Sequence, residues 1–177
     1  MARYDAAMNI ILRYIDLCRL KAGPSDMPAS NKLLKATLLA YFLLGIMISR
    51  IDNAWNVSVI SSLTDTLFMM AAIRLMLYFK DLQARYQQTL MAIAGAGIIL
   101  DLIGLPLMSW LNQIDKVEQG TSIALLLMIA LMFWSLMVIA HIFRQALDIK
   151  AGSAAVITII YTALSIVILG LTLSGVA

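Results

Sequence analysis

Apolar residues run through this chain in five blocks, each close to the length that crosses a bilayer and each closed by a short polar interval. The blocks cover residues 33–49, 56–79, 88–112, 121–146 and 153–176. One hydrocarbon crossing takes about 20 mainly apolar residues, so the pattern predicts five spans, the first slightly short. The second is the most polar, with Ser58, Ser61, Ser62, Thr64 and Asp65 in its first half and Arg74 near its end. A helix with that content is expected to turn those groups away from lipid. The fourth is almost wholly aliphatic until His141 and Arg144. Ahead of the blocks, Tyr4, Met8, Ile11, Leu12, Ile15 and Cys18 fall on one helical arc, and Asp5, Asn9, Arg13 and Asp16 fall opposite. The apolar arc spreads to Ile10, Tyr14 and Leu17. This amphipathic helix is expected to lie in the interface or against the spans. It should end at Gly23-Pro24, with Gly23 as a left-handed cap, before the linker AGPSDMPAS.

Composition agrees with the pattern: 62% of the 177 residues are hydrophobic and 13% are charged, against about 25% charged in soluble domains. The mean hydropathy is +0.91. A net charge of +3 would point to nucleic acid in a soluble protein, but here the placement of the cations matters more, and no nucleic-acid partner is expected. Arg3, Arg13, Arg19, Lys21, Lys32 and Lys35 precede or open the first span, Lys80 and Arg85 follow the second, and Arg144 and Lys150 follow the fourth. The other side holds only Arg50 and Lys116. The positive-inside rule then puts the amino terminus in the cytoplasm and the carboxyl terminus outside. The expectation is an all-α integral membrane protein of the bacterial inner membrane, with residues 1–32 as a cytoplasmic amphipathic helix and linker and residues 33–177 as a five-span membrane domain.

Several chemistries are excluded. With one cysteine and one histidine, neither an internal disulfide nor a zinc cluster can form, and no metal or other cofactor is expected. No Walker sequence occurs. His141 sits at the cytoplasmic boundary while the candidate serines sit in the outer half, so a Ser/His/Asp triad cannot assemble and no enzyme is expected. The sequon Asn56-Val57-Ser58 abuts the membrane and is discounted. The 12 methionines suit adaptable packing. Tyr41, Trp55, Tyr78, Tyr86 and Trp110 fall near span ends, as an aromatic belt would.

What remains is a pair of intramembrane acids. The second span descends while the third climbs, so Asp65 and Asp101 come to comparable depth, about nine and eleven residues from the outer end. A carboxylate there costs roughly 2.5 to 3.5 kcal/mol on insertion scales. One reading is a proton or cation relay, with Ser61, Ser62 and Thr64 supplying oxygens. The other is a structural or interface role, each acid bonded between packed helices. Gly97, Asp101, Gly104 and Met108 share one helical face, where the glycines let a partner helix approach closely. Pro106 leaves the Leu102 carbonyl free and predicts a kink. Arg74 either snorkels or pairs with a neighbouring carboxylate. His141 and Arg144, three apart, could meet an anionic lipid headgroup or simply cap the boundary.

The layout resembles the five-span Yip family (Ypt-interacting proteins) and its bacterial relatives: a cytoplasmic segment, five closely spaced spans and almost no outer tail. The local echo is Asp101-Leu102-Ile103-Gly104-Leu105-Pro106, loosely like the Asp-Leu-Tyr-Gly-Pro motif of the eukaryotic members. There the motif precedes the spans; here it lies inside the third and Leu105 interrupts it, so no functional residue carries over. The resemblance implies a non-enzymatic adaptor or accessory subunit that binds a membrane-protein partner or a second copy within the bilayer. A small proton- or ion-coupled carrier or channel using Asp65 and Asp101 is the competing expectation.

Overall fold

Backbone groups in a bilayer have no water to bond, so each crossing closes its own hydrogen bonds as a helix. The computed structural model describes residues 2–113 and 118–176, with side chains placed over 10–112 and 123–174. The described residues form six α-helices: α1 (Ala2–Cys18), α2 (Asn31–Ser49), α3 (Trp55–Phe79), α4 (Tyr86–Gln113), α5 (Glu118–Ala146) and α6 (Ala151–Val176). Helices α2 to α6 supply five segments long and apolar enough to cross a membrane. The chain is an all-α integral membrane protein. Lys116 and the side chains of Arg3, Tyr4, Asp5, Met8 and Asn9 lie outside the described residues.

The five long helices close into a ring. Helix α2 packs on α3 and α4, α3 on α6, α6 on α5, and α5 back on α4. Toward the end that carries Lys80, Arg85 and Arg144, here the basic end, the ring is filled by Met69, Ile73 and Leu77 of α3, Leu90 and Met91 of α4, and Val138 and Ile142 of α5. Tyr161 of α6 is clamped there between Phe68, with ring centroids 5.4 Å apart, and Phe143, at 5.5 Å. The outward faces of α5 and α6, with Leu126, Phe133, Ile166 and Leu171, stay uncovered as a lipid-facing surface requires.

Helix α1 is not a separate appendage: Tyr14, Leu17 and Cys18 belong to the same core as α4 and α5. The Tyr14 hydroxyl bonds Thr37 Oγ1 of α2 at 2.7 Å, and its ring occupies the space a side chain at Gly95 of α4 would need. Cys18 faces the Ala96 carbonyl at 3.7 Å, and Trp134 of α5 donates to the Cys18 carbonyl at 2.8 Å. Ala96 is ten residues into α4, roughly 15 Å along its axis. The buried strip is thus Tyr14, Leu17 and Cys18, flanked by Ile10, while Ile11 and Leu12 are 48% and 51% exposed. Of the expected arc, Cys18 is buried while Ile11 and Leu12 are not, and burial centres on Tyr14 and Leu17, to which that arc was expected only to spread.

The α1 cap also differs from expectation. Leu20, at φ 61, is the left-handed residue, with Lys21 N bonded to the Asp16 carbonyl at 2.8 Å. Gly23 is extended at φ −124. Its lack of a side chain serves packing instead, because a Cβ there would overlap the Gln145 amide of α5. Asp81 and Asp148 take the left-handed position in the turns after α3 and α5, a conformation that aspartate tolerates better than most residues.

At the opposite end, Asn53 Nδ2 caps the Ser49 carbonyl at 3.1 Å and Arg50 reaches the Asn53 carbonyl at 2.7 Å. Asn112 of α4 ties to Asp52 at 2.8 Å. Pro106 sits inside α4, which continues past it to Gln113.

Candidate functional site

Asp65 and Asp101 converge. Both line a cleft of about 310 Å³ between α2, α3, α4 and α6 that runs past Ser49 to Asn53 at the far end of the bundle. Both also line an inner chamber of about 200 Å³ bounded by Tyr41, Gly97, Ser135, Tyr161, Thr162 and Ser165 among others. The depth matching anticipated from the sequence therefore becomes a shared cavity. Ser61 and Ser62 line the cleft with them, one turn above Asp65 on α3; Thr64 lies outside both linings.

The two acids are served differently. Asp65 Oδ2 accepts a 2.6 Å hydrogen bond from Tyr41, and Oδ1 accepts one from Ser165 at 3.4 Å. Asp101 has Asp65 as its charged neighbour and, among the described residues, receives no side-chain hydrogen bond. Ser62 is committed, donating to the Phe42 carbonyl at 2.7 Å. Ser61 is not: among the described residues its Oγ is buried without a partner, in a residue only 7% exposed that borders the cleft, whereas buried hydroxyls normally find one.

Sequence reasoning missed Tyr41 and Ser165. Tyr41 was assigned to the aromatic belt, although it stands midway along the 33–49 block, and it turns inward to Asp65. Trp55, Tyr78 and Trp110 are exposed, as belt residues would be. Ser165 falls with Thr158, Tyr161 and Thr162 on one face of an otherwise aliphatic span, a signal that sequence reasoning passed over, and the packing of α6 against α3 brings it to Asp65.

The two glycines differ. A Cβ on Gly97 would lie 2.7 Å from the Tyr41 ring, so Gly97 seats α2. One on Gly104 would lie 3.4 Å from Leu131 of α5, in ordinary contact, and Gly104 borders an open groove between α4 and α5. His141 and Arg144 also part company. His141 Nε2 is 3.1 Å from the Ala22 carbonyl, to which it donates, while Arg144 points outward. The pair therefore does not frame a common anion site. Arg74 is exposed with its guanidinium 5.8 Å from the Tyr86 ring centre, which fits snorkelling along an aromatic face. Among the described residues no three His, Cys, Asp or Glu side chains gather as metal ligands.

The arrangement defines a class: a five-helix membrane bundle with a carboxylate-lined cleft that opens at one end and is sealed at the other by an apolar core and α1. Comparison with protein-family models, with curated proteins and with solved structures brings no match for this chain.

Proposed function

We propose that this protein is a small carrier or channel that handles protons or monovalent cations through Asp65 and Asp101. The observation that carries this reading is that both acids line one cleft reaching the far end of the bundle, with the unpartnered Ser61 Oγ beside them. Tyr41 and Ser165 hold Asp65 in place, leaving Asp101 as the more available carboxylate. Intramembrane acids facing a water-accessible cavity are the usual furniture of ion pathways. The basic residues at the other end support placing that end in the cytoplasm and the cleft mouth outside, in a bacterial inner membrane.

The adaptor reading suggested by the likeness to Yip proteins loses Gly97 as a docking position, since the Tyr41 ring lies against it, and keeps Gly104 at the edge of the α4–α5 groove. Proteoliposomes decide between the two. A pH gradient or an inward sodium gradient should collapse faster in vesicles holding the wild type than in vesicles holding Asp65→Asn or Asp101→Asn. Equal rates for all three and for empty vesicles would sink the carrier reading.

A further inference from the structure

A third cavity meets the cleft at Asp101. It is a groove of about 340 Å³ between α4 and α5, walled by Leu100, Gly104, Met108, Leu125, Met128 and Leu131 among others, with Ile48 of α2 at one edge. Its rim residues Leu125, Ile129 and Met132 are exposed on the lipid-facing side of α5. The groove therefore opens sideways into the bilayer, whereas the Asp65 cleft opens at the end of the bundle.

The polar content of the groove is confined to one spot. Among the described residues Asp101 and Ser135 are its only polar side chains, and Ser135 spends its hydroxyl on the Met132 carbonyl at 2.7 Å. Asp101 alone faces the groove with acceptor capacity to spare. A slot of several hundred cubic ångströms, apolar save for one convergent charged group, is the usual form of a small-molecule site. A lipid tail would satisfy its walls but leave the carboxylate without a counter-charge. An organic cation with an apolar body satisfies both: the body replaces lipid against α4 and α5, and the positive centre meets Asp101 as its counter-charge.

We infer that the α4–α5 groove is a binding site for amphipathic organic monocations, which enter laterally from the bilayer and place their charge at Asp101. The inference rests on the carrier reading for its purpose, since Asp101 then exchanges its guest with the cleft that leads to the far end. Gly104 is part of the recognition: a side chain there would fill the slot one turn above the acid.

The test uses the full chain in phosphatidylcholine nanodiscs, with radiolabelled tetraphenylphosphonium as probe and the isosteric anion tetraphenylborate as control, each corrected for empty discs. Saturable binding of the cation at one per chain is expected, with no saturable binding of the anion. Asp101→Asn should weaken cation binding at least tenfold, and Asp101→Glu, which keeps the charge, should recover most of it. Met132→Trp, at the exposed mouth, should block the probe while leaving the core intact. Saturable binding of both ions alike, or cation binding unchanged in Asp101→Asn, would overturn the site. If the cation does not bind while gradient dissipation in proteoliposomes still depends on Asp101, the groove inference fails and the carrier reading stands. Binding without any ion flux leaves the groove and removes the carrier.

Discussion

The Tyr41 hydroxyl donates to Asp65 of α3 at 2.6 Å while the ring of the same residue lies across Gly97 of α4. One side chain of α2 thus fixes the position of a carboxylate and the spacing of two helices. The two duties can be separated. Tyr41→Phe keeps the ring over Gly97 and removes only the donor, leaving Asp65 with Ser165. It should cost about 1–3 kcal/mol, the penalty for stranding a buried acceptor, and it should alter ion handling more than folding. Gly97→Ala must push the ring aside and should cost about 1–3 kcal/mol through overpacking. Gly104→Ala meets Leu131 at 3.4 Å, so it should be nearly neutral. Thermal unfolding in one detergent, followed by far-UV circular dichroism, ranks the three.

Adjacent serines should behave oppositely. Ser62 bonds the Phe42 carbonyl at 2.7 Å and would sit 2.7 Å from a Cβ at Gly45. Ser62→Ala therefore loses a helix-to-helix bond and should destabilise by about 1 kcal/mol. The Ser61 hydroxyl has no partner, so Ser61→Ala should leave stability unchanged or slightly raised. If Ser61 serves a cation in the cleft, the same variant should weaken sodium-dependent protection against unfolding. Both effects are read from melting curves with and without sodium.

Docking of α1 can be followed through Cys18. Burial pushes its thiol up to about 11, so at pH 8 only about one part in a thousand is the reactive thiolate. Labelling by a maleimide should therefore be slow at pH 8 and accelerate as the pH climbs toward 11. The neutral thiol is the form that docks, so its contribution to holding α1 is complete below the ordinary thiol value and declines as pH rises above it through about 11. Gly95→Leu collides with the Tyr14 ring and should raise the labelling rate at pH 8 at least tenfold. A wild-type rate matching that of a free thiol would mean that α1 does not dock on α4.

Opposite exposure of successive loops follows from the span order. In a Cys18→Ser background, Ala54→Cys between α2 and α3 and Gln83→Cys between α3 and α4 should label from opposite faces of sealed vesicles. If the basic end faces the cytoplasm, an impermeant maleimide added to whole cells reaches Ala54→Cys alone. Reaction at both sites would remove a span between them.

The sequence by itself determined the number and limits of the membrane helices, because lipid imposes a length and an apolar content on each crossing that can be counted along a chain: the third block, read as 88–112, lies within Tyr86–Gln113. It also singled out Asp65 and Asp101, since a charge inside such a block stands out against a uniform background. It could not give the rotation of any helix about its axis. With apolar residues on nearly every side, the period that marks a buried face in a soluble helix is lost. Only the packed ring decided that Tyr41 turns inward to an acid, that Ser165 joins it, and that Gly97 is covered from within. The tertiary structure likewise chose the buried strip of α1, whose broad apolar arc offered several equivalent faces until the Gly95–Ala96 notch of α4 admitted Tyr14 and Cys18. Close approach of two backbones depends on pairs of residues remote in sequence, and that pairing exists only once the helices have assembled.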